Sequence, residues 1–303
     1  NREDYRRVLP SEIGDIGFPP RALEQYAVAL ESVVDVEAIG AAGFKVVVDY
    51  SYGSTSFVMA NVFSKLGAEV LAVNPYVSTQ GVVEFDREVH AAQVGNLVRA
   101  SGANLGAVID PSGERLTLID DRGHVLTTNE ALLAMLTLVR SRIQGDRVAL
   151  PVSATMRAAE ILGEAGIHVL PTKTSSAALM VESTAPGVGF AADLNGGFIV
   201  PGFLPAFDGA ASLVKVLDLL AHAGGSLSEI VEGLPRIHMA HERVITPWEQ
   251  KGMVMRTLVE HSADRQLELV DGVKVHHDGA WALALPDPEE PITHIWAEAG
   301  TEV

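Results

Sequence analysis

Short continuous apolar runs alternate along the chain with longer stretches in which apolar residues recur at helical spacing. Lys45–Tyr50 (KVVVDY) is continuous and β-branched, which is typical of a buried parallel strand. Apolar residues at helical spacing follow in Ser56–Leu66, and Gly67 ends this stretch as glycine ends many helices. A second apolar run, AEVLAVN, comes next. A crossover of this length predicts a β-α-β unit with parallel strands.

The same alternation continues to about residue 142 and begins again at residue 146. It predicts two consecutive three-layer α/β/α domains, which share one architecture. Further strands are predicted at Ala107–Asp110 and Asp146–Val152, in the IHVLP run, and as a pair within Gly189–Val200. Further helices are predicted at Arg21–Ser32, Val36–Ala42, Asp86–Ser101, Asn129–Arg142, Ala154–Ala165 and 208–223.

The pattern changes after Gly225 to one or two helices followed by short strands. Helices are predicted at Leu227–Gly233 and Glu249–His261, with HMAHERVITP as a connector between them. Strand patterns follow in LELV, DGVKVHH, WALAL and ITHIWAE. The fold class is therefore α/β, with a small α+β domain at the C-terminal end. The predicted boundaries are 1–43 (linker helix), 44–143, 144–240 and 241–303.

The composition of the chain excludes several classes of partner and site. The 303 residues carry a net charge of −17, which disfavours nucleic acid because phosphate contacts need a basic face. The chain has no cysteine, so disulfides and thiolate metal sites are excluded. No apolar run approaches the roughly 20 residues of a membrane span, and no secretory signal is visible. We expect a cytoplasmic protein without membrane contact.

The loop DPSGER contains the clearest candidate chemistry. Asp110, Ser112 and Glu114 alternate, so an extended loop can direct three oxygens to one point, as a weak Mg²⁺ site requires. The alternative is a solvated turn between two strands, which Pro111 and Gly113 favour. Arg115 with Lys173 could contact a phosphate in a cleft, although strand-end surface charges are also common.

Two further groupings are weighed against ordinary structural roles. His238, His241 and Glu242 are close in sequence and could hold zinc, but three-residue spacing on a connector is weak support. Gly53 lies among hydroxyl residues before a helix and could cradle an anion there. An N-cap turn explains the same pattern.

Taken in order, these segments resemble the α-D-phosphohexomutases, the phosphomannomutase and phosphoglucomutase family. That family has four domains, and the resemblance over residues 21–300 implies its second, third and fourth. Residues 1–43 then resemble the end of a first domain whose phosphoserine loop is absent here. The family's metal loop, usually DGDADR, matches DPSGER. The resemblance implies a metal role for Asp110, Ser112 and Glu114 and a catalytic role for Arg115.

Two more loops carry the resemblance in altered form. The family's sugar-reading loop GGExSGH corresponds to AADLNGG, which implies substrate binding by Asp193, Asn195 and Gly196. The family's phosphate loop RPSGTEP corresponds to LPDPEEP, in which a cation is replaced by an apolar side chain and hydroxyls by carboxylates. Such a loop repels a dianionic phosphate. Its altered positions are Leu285, Asp287, Pro288 and Glu289.

The resemblance implies phosphotransfer on hexose phosphates, in sugar-phosphate and nucleotide-sugar metabolism, with Mg²⁺ as a weakly held cofactor. The altered loops imply that this chain is catalytically degenerate. The opening REDYRR and SEIGDIGFPP resemble the middle of mannose-1-phosphate guanylyltransferase/phosphomannomutase proteins, which implies an attached sugar nucleotidyltransferase. Two alternatives are a non-catalytic module that senses a sugar phosphate or nucleotide sugar, and a structural domain that forms homo-oligomers.

Overall fold

The first sheet belongs to a mixed α/β domain near the start of the chain. The computed structural model describes residues 8–77 and 85–300. The strand order is β2-β1-β3-β4, and only β4 runs antiparallel to its neighbour. These strands are β1 (Lys45–Asp49), β2 (Glu69–Val73), β3 (Leu105–Ile109) and β4 (Leu116–Ile119). Its helices are α1 (Ala22–Ser32), α2 (Val36–Ala42), α3 (Ser56–Leu66) and α4 (Arg87–Ser101), after a 3₁₀ turn at Pro10–Glu12; α5 (Thr128–Val139) follows β4 and leads into the second domain.

The second sheet repeats this plan with the order β6-β5-β7-β8, and only β8 is antiparallel. Its strands are β5 (Arg147–Pro151), β6 (His168–Thr172), β7 (Val188–Ala192) and β8 (Phe198–Ile199). Its helices are α6 (Met156–Gly163), α7 (Ser176–Glu182), α8 (Gly209–Ala223) and α9 (Leu227–Glu232). The two predicted α/β/α domains and the parallel β-α-β unit are confirmed.

One apolar core joins the two α/β domains through α5 and α8. Both helices are largely buried, with eight buried residues in α5 and eleven in α8. Helix α8 contacts β3 and β4 of the first sheet and β8 of the second. Its first turn is fixed by Asp208, whose carboxylate accepts the N–H of Ala211. The candidate loops at the strand ends are therefore carried by a shared rigid layer.

A third, antiparallel sheet forms the C-terminal domain. Its order is β10-β11-β12-β13-β9, and α10 (Trp248–His261) follows the first of its strands. The strands are β9 (His238–Ile245), β10 (Gln266–Glu268), β11 (Val273–His277), β12 (Ala280–Pro286) and β13 (Ile292–Ala299). The α+β class of this domain is confirmed. The boundary proposed at 240/241 falls inside β9.

One local prediction was wrong, and one helix was missed. The HMAHERVITP segment is not a connector, because His238–Ile245 pairs with β13 in an unbroken antiparallel register. Most of this edge strand is exposed, so it lacks the alternating apolar pattern by which strands are recognised. Helix α7 was not predicted; Ser175 caps it by accepting the N–H of Ala178.

Helix α1, within the segment predicted as a linker helix, packs into the first domain. Its residues Ala27 and Leu30 are buried in the shared core, and the helix contacts α3. The Tyr26 hydroxyl donates to Asp208 at 2.6 Å, and burial beside this carboxylate raises the pKa of Tyr26. Within the described residues, no helix has the length and apolar character needed to cross a membrane.

Candidate functional site

The DPSGER loop is built around the Asp110 carboxylate. Its Oδ1 accepts the backbone N–H groups of Glu114 and Arg115, both at 2.8 Å. Its Oδ2 accepts the Ser112 hydroxyl at 2.6 Å. The loop closes with the Gly113 N–H donating to the Asp110 carbonyl at 2.9 Å. Both Asp110 carboxylate oxygens therefore accept hydrogen bonds from the loop itself. The side chains of Ser112 and Glu114 are exposed.

Arg115 leaves this loop and crosses to the second domain. Its Nη2 lies 3.1 Å from Asp193 Oδ2 and donates to the Ser176 hydroxyl at 3.2 Å. Its guanidinium carbon stands 4.2 Å from the centre of the Phe207 ring, a cation–π contact. Only 16% of the Arg115 side chain is exposed. The predicted catalytic arginine is thus engaged in an interdomain contact.

The AADLNGG loop meets the DPSGER loop along the backbone. Asp193 Oδ1 accepts the N–H groups of Asn195 and Gly197 at 2.8 and 2.7 Å. The Gly196 carbonyl accepts the N–H of Leu116 at 2.8 Å, and a Cβ at Gly196 would lie 2.5 Å from the Leu116 carbonyl oxygen. This close approach, with a φ of +82°, requires glycine.

The predicted site residues separate into two groups. Asp110, Arg115, Asp193 and Gly196 are brought together at the junction of the first two domains. The side chains of Lys173 and Asn195 are exposed, although the backbone N–H of Asn195 donates to Asp193 Oδ1. Asp271 anchors the Lys173 loop by accepting the N–H and the hydroxyl of Thr174, both at 2.9 Å.

The LPDPEEP loop is also organised by one of its own carboxylates. Asp287 Oδ1 accepts the N–H groups of Glu289 and Glu290 at 2.8 and 2.7 Å. Its Oδ2 lies 3.0 Å from His294 Nε2. The amides that could bind an anion are therefore occupied by an internal carboxylate. The hydrogen bond from His294 and those from the two amides lower the pKa of Asp287 to about 2.

The other altered positions of this loop offer no hydrogen-bond donor or positive charge to an anion. Leu285 is buried against Val152 and Trp281. Pro288 offers no N–H, and Glu289 is exposed. The ammonium of Lys251 donates to the carbonyls of Asp287 and Glu290, so the buried cation of this region binds backbone acceptors.

We predict that Asp287 makes the stability of the chain depend on acid pH. Because its pKa is lowered from 3.8 to about 2, its contribution is present above the unfolded value and is lost as pH falls through the folded value. Denaturant unfolding of the native chain and Asp287→Asn is the measurement, from about pH 5 downward. The difference in unfolding free energy is expected to shrink toward about pH 2; a constant difference would contradict the pKa assignment.

Mg²⁺ prefers several oxygen ligands in near-octahedral geometry. The DPSGER loop offers two carboxylates and one hydroxyl, but Asp110 and Ser112 bond to each other. Across residues 8–77 and 85–300, no three His, Cys, Asp or Glu side chains form a group that could hold a metal. The donor set of this loop does not fit a resident Mg²⁺.

A zinc site at His238, His241 and Glu242 would require these side chains to lie on one face of the strand. Alternation along β9 places His238 and Glu242 on the face opposite His241. His241 Nε2 lies 2.9 Å from His294 Nδ1 instead, and its ring stacks on Trp296 at 4.4 Å. The Gly53 N–H donates to the Tyr50 carbonyl at 2.7 Å, so this amide is not open to an anion.

Four residues of these sites were missed from the sequence: Ser176, Phe207, Lys251 and His294. Ser176 and Phe207 approach Arg115 from α7 and from the loop before α8. Lys251 and His294 approach the Asp287 loop from α10 and β13. No local pattern marks such partners, because each is more than six residues away in the chain.

The order of the two α/β domains agrees with comparisons to known proteins. Residues 24–123 match the family model described as phosphoglucomutase/phosphomannomutase, alpha/beta/alpha domain II. Residues 128–237 match that for domain III. The chain belongs to the phosphoglucomutase/phosphomannomutase family, within the α-D-phosphohexomutase superfamily. The matched ranges divide the chain between 123 and 128, before α5.

Individual relatives show the same relationship. A probable phosphoglucosamine mutase of Methanopyrus kandleri is 29% identical over 296 residues, which cover 96% of this chain and 65% of the relative. A phosphoglucomutase/phosphomannomutase family protein of Burkholderia thailandensis has a structure with a TM-score of 0.77 at 20% identity, covering 92% of this chain and 60% of that one. The Aspergillus fumigatus N-acetylphosphoglucosamine mutase, in complex with GlcNAc-6P and magnesium, has a TM-score of 0.58 at 12% identity, with 92% and 66% covered. The chain thus spans about two thirds of the length of the first of these relatives.

Proposed function

We propose that this chain is a phosphohexomutase-family module of hexose-phosphate and nucleotide-sugar metabolism that does not transfer phosphoryl groups by itself. One observation carries the proposal: in each of the three candidate loops, an aspartate carboxylate is held by contacts within the protein. Asp110 closes its own loop, Arg115 pairs with Asp193, and Asp287 occupies the amides of Glu289 and Glu290. A site that stabilises a phosphoryl group needs hydrogen-bond donors, such as an arginine or backbone amides, that point at the ligand.

Hexose phosphates are the proposed ligand class. The Aspergillus relative is described in complex with GlcNAc-6P and magnesium, and the Methanopyrus relative is named as a probable phosphoglucosamine mutase. In this chain, Lys173 and Asn195 remain exposed and could contact a phosphate and a sugar hydroxyl. The acidic LPDPEEP loop opposes a dianionic group at the third domain. We therefore expect weak binding that needs no Mg²⁺.

A sensing role is the second candidate, and the exposed Lys173 and Asn195 favour it. In that role, sugar-phosphate binding would regulate an attached sugar nucleotidyltransferase, a partner that remains a proposal. The REDYRR segment (residues 2–7) that suggested this attachment lies outside the described residues, whereas SEIGDIGFPP (residues 11–20) lies within them. Homo-oligomerisation also remains a proposal.

A turnover assay combined with a binding assay tests the proposal. The full chain is incubated with mannose-1-phosphate, glucose-1-phosphate or glucosamine-1-phosphate, with Mg²⁺ and the matching hexose bisphosphate. We expect no 6-phosphate product by phosphorus NMR. Mg²⁺-dependent turnover that survives repurification of the chain would contradict the proposal.

The binding arm separates sensing from a purely structural role. Thermal unfolding is measured with each sugar phosphate and with GDP-mannose, because a ligand that binds only the native state raises the unfolding temperature. Sensing predicts a rise that is lost in Lys173→Met and kept in the matched exposed variant Lys65→Met. No rise with any ligand at millimolar concentration would leave the structural role.

A further inference from the structure

A cavity of about 530 Å³ lies between the second α/β domain and the C-terminal sheet. One wall consists of the end of β5, the start of α6 and part of β6, including Val152, Ala154 and Val169. The opposite wall consists of β10, β11 and β12, including Lys274 and Trp281. Cavities of this size at domain junctions, mostly apolar with a few polar groups, are the usual form of small-molecule sites. None of the predicted site residues lines this cavity.

Lys274 is the unusual side chain of this cavity. It is only 8% exposed, and its ammonium donates to the Val152 carbonyl at 2.7 Å. The ammonium also lies 4.3 Å from the centre of the Trp281 ring. An ammonium has three N–H donors, and one carbonyl acceptor is recorded here among the described residues. Desolvation by burial lowers the pKa of Lys274, which shows that its charge is costly in this position.

The nearby carboxylates do not act as its ion-pair partners. Glu268 faces Lys274 across the β10–β11 pairing, but its closest recorded cation is His276, at 3.3 Å. Glu298 accepts from Thr155, Met156 and Trp281. In the described part of the chain, no carboxylate oxygen lies within 4.0 Å of the Lys274 ammonium. Glu268 and Glu298 therefore attract the ammonium without pairing with it, and among the described residues two of its three N–H donors have no acceptor.

Lys251 gives an internal comparison. It is 9% exposed and its ammonium lies 3.8 Å from the centre of the Trp248 ring, so its burial and aromatic contact match those of Lys274. It differs in donating to two carbonyls, those of Asp287 and Glu290, and it does not line this cavity. Two backbone carbonyls thus compensate the buried charge of Lys251, whereas Lys274 has one carbonyl acceptor and lines the cavity.

We propose that this cavity binds a small amphipathic anion, with a carboxylate- or sulfonate-type head paired with Lys274 and an apolar or aromatic body against Ala154, Met156 and Val169. The two walls belong to different domains, so the bound anion contacts both the second domain and the C-terminal sheet. A charge-assisted contact in a largely desolvated cavity is stronger than one at the surface. The site is independent of the candidate loops and of phosphotransfer.

A fluorescent anion with an aromatic body tests the proposal on the full chain. The probe is 8-anilinonaphthalene-1-sulfonate, and its uncharged analogue N-phenyl-1-naphthylamine has a similar body without the sulfonate. We expect saturable binding of the anion, with the uncharged analogue weaker by about tenfold or more. Equal affinity for the two probes would overturn the role of Lys274 as the anion partner.

Variants locate the site. Lys274→Met is expected to weaken the anion by about tenfold or more while the uncharged probe is unchanged. Ala159→Trp, on the exposed part of α6 that lines the cavity, is expected to block both probes. Lys251→Met and Ala92→Trp, an exposed position on α4, are the matched controls and should bind as the native chain does. Full probe binding by Ala159→Trp would overturn the proposal, and this exposed substitution does not depend on replacing the buried lysine.

Discussion

Replacing Glu298 with alanine is expected to lower the free energy of unfolding by about 3 kcal/mol or more, because three donors would lose their acceptor. Glu298 is 2% exposed on β13. Its carboxylate accepts the N–H of Met156 at 2.7 Å, the indole N–H of Trp281 at 2.9 Å and the hydroxyl of Thr155. Met156 and Thr155 form the start of α6, so the Glu298 side chain links the C-terminal sheet to the second domain by hydrogen bonds.

Hydrogen exchange and denaturant unfolding together measure this effect. A chain of several domains need not unfold in one step, so exchange protection in β9–β13 is followed separately. We expect Glu298→Ala to lose protection in the C-terminal sheet first, and Glu298→Gln, which keeps one acceptor, to lose less. Glu260→Ala, at an exposed position of α10, is the control and should change stability by no more than about 0.5 kcal/mol. Equal stability of Glu298→Ala and this control would contradict the predicted role.

Replacing Asp49 with alanine is expected to cost a similar amount, about 3 kcal/mol or more. Asp49 ends β1 and is fully buried. Its carboxylate accepts the Ser51 N–H at 2.8 Å and the side-chain amide of Asn74 at 3.1 Å, and it lies 2.8 Å from His90 Nδ1. Ser51, Tyr52 and Asn74 have left-handed backbone conformations, with φ of 49°, 59° and 46°. The carboxylate holds these strained residues in place, at the turn that packs on Pro111.

The Asp49 prediction is checked by urea unfolding of the native chain and its variants. Asp49→Asn keeps an acceptor for the Ser51 amide and should recover part of the lost stability. Asp264→Ala, in the exposed segment after α10, is the matched control. If Asp49→Ala unfolds at the same urea concentration as Asp264→Ala, the buried network does not stabilise the first domain.

The α/β part of the fold follows from local sequence because its strands and helices have clear patterns. Lys45–Asp49 is a continuous β-branched run, and it forms the buried β1. Ser56–Leu66 was predicted from its helical spacing and Gly67, and α3 has these bounds. Such elements bury a full face or stripe, so their hydrophobic period is visible without knowledge of their partners.

Features that depend on distant partners were not predictable in this way. Strand β9 is mostly exposed and is defined by its pairing with β13, about fifty residues later. Arg115 and Asp193 were each singled out from the sequence, but their mutual contact depends on how two domains pack. Likewise, Asp287 was expected to repel phosphate, whereas its use as an internal ligand of two amides depends on the turn geometry.

The most direct test asks whether the DPSGER loop is closed by its own contacts. It adds Mn²⁺, a paramagnetic stand-in for Mg²⁺, and follows the broadening of amide NMR lines. The full chain is titrated with Mn²⁺, and the amides of Gly113, Glu114 and Arg115 are compared with those of the exposed acidic loop Asp287–Glu290. Since Asp110 already accepts two amides and the Ser112 hydroxyl, we predict no selective broadening in the DPSGER loop at submillimolar Mn²⁺. Saturable broadening of Gly113, Glu114 and Arg115 that EDTA reverses would contradict a loop closed to divalent cations.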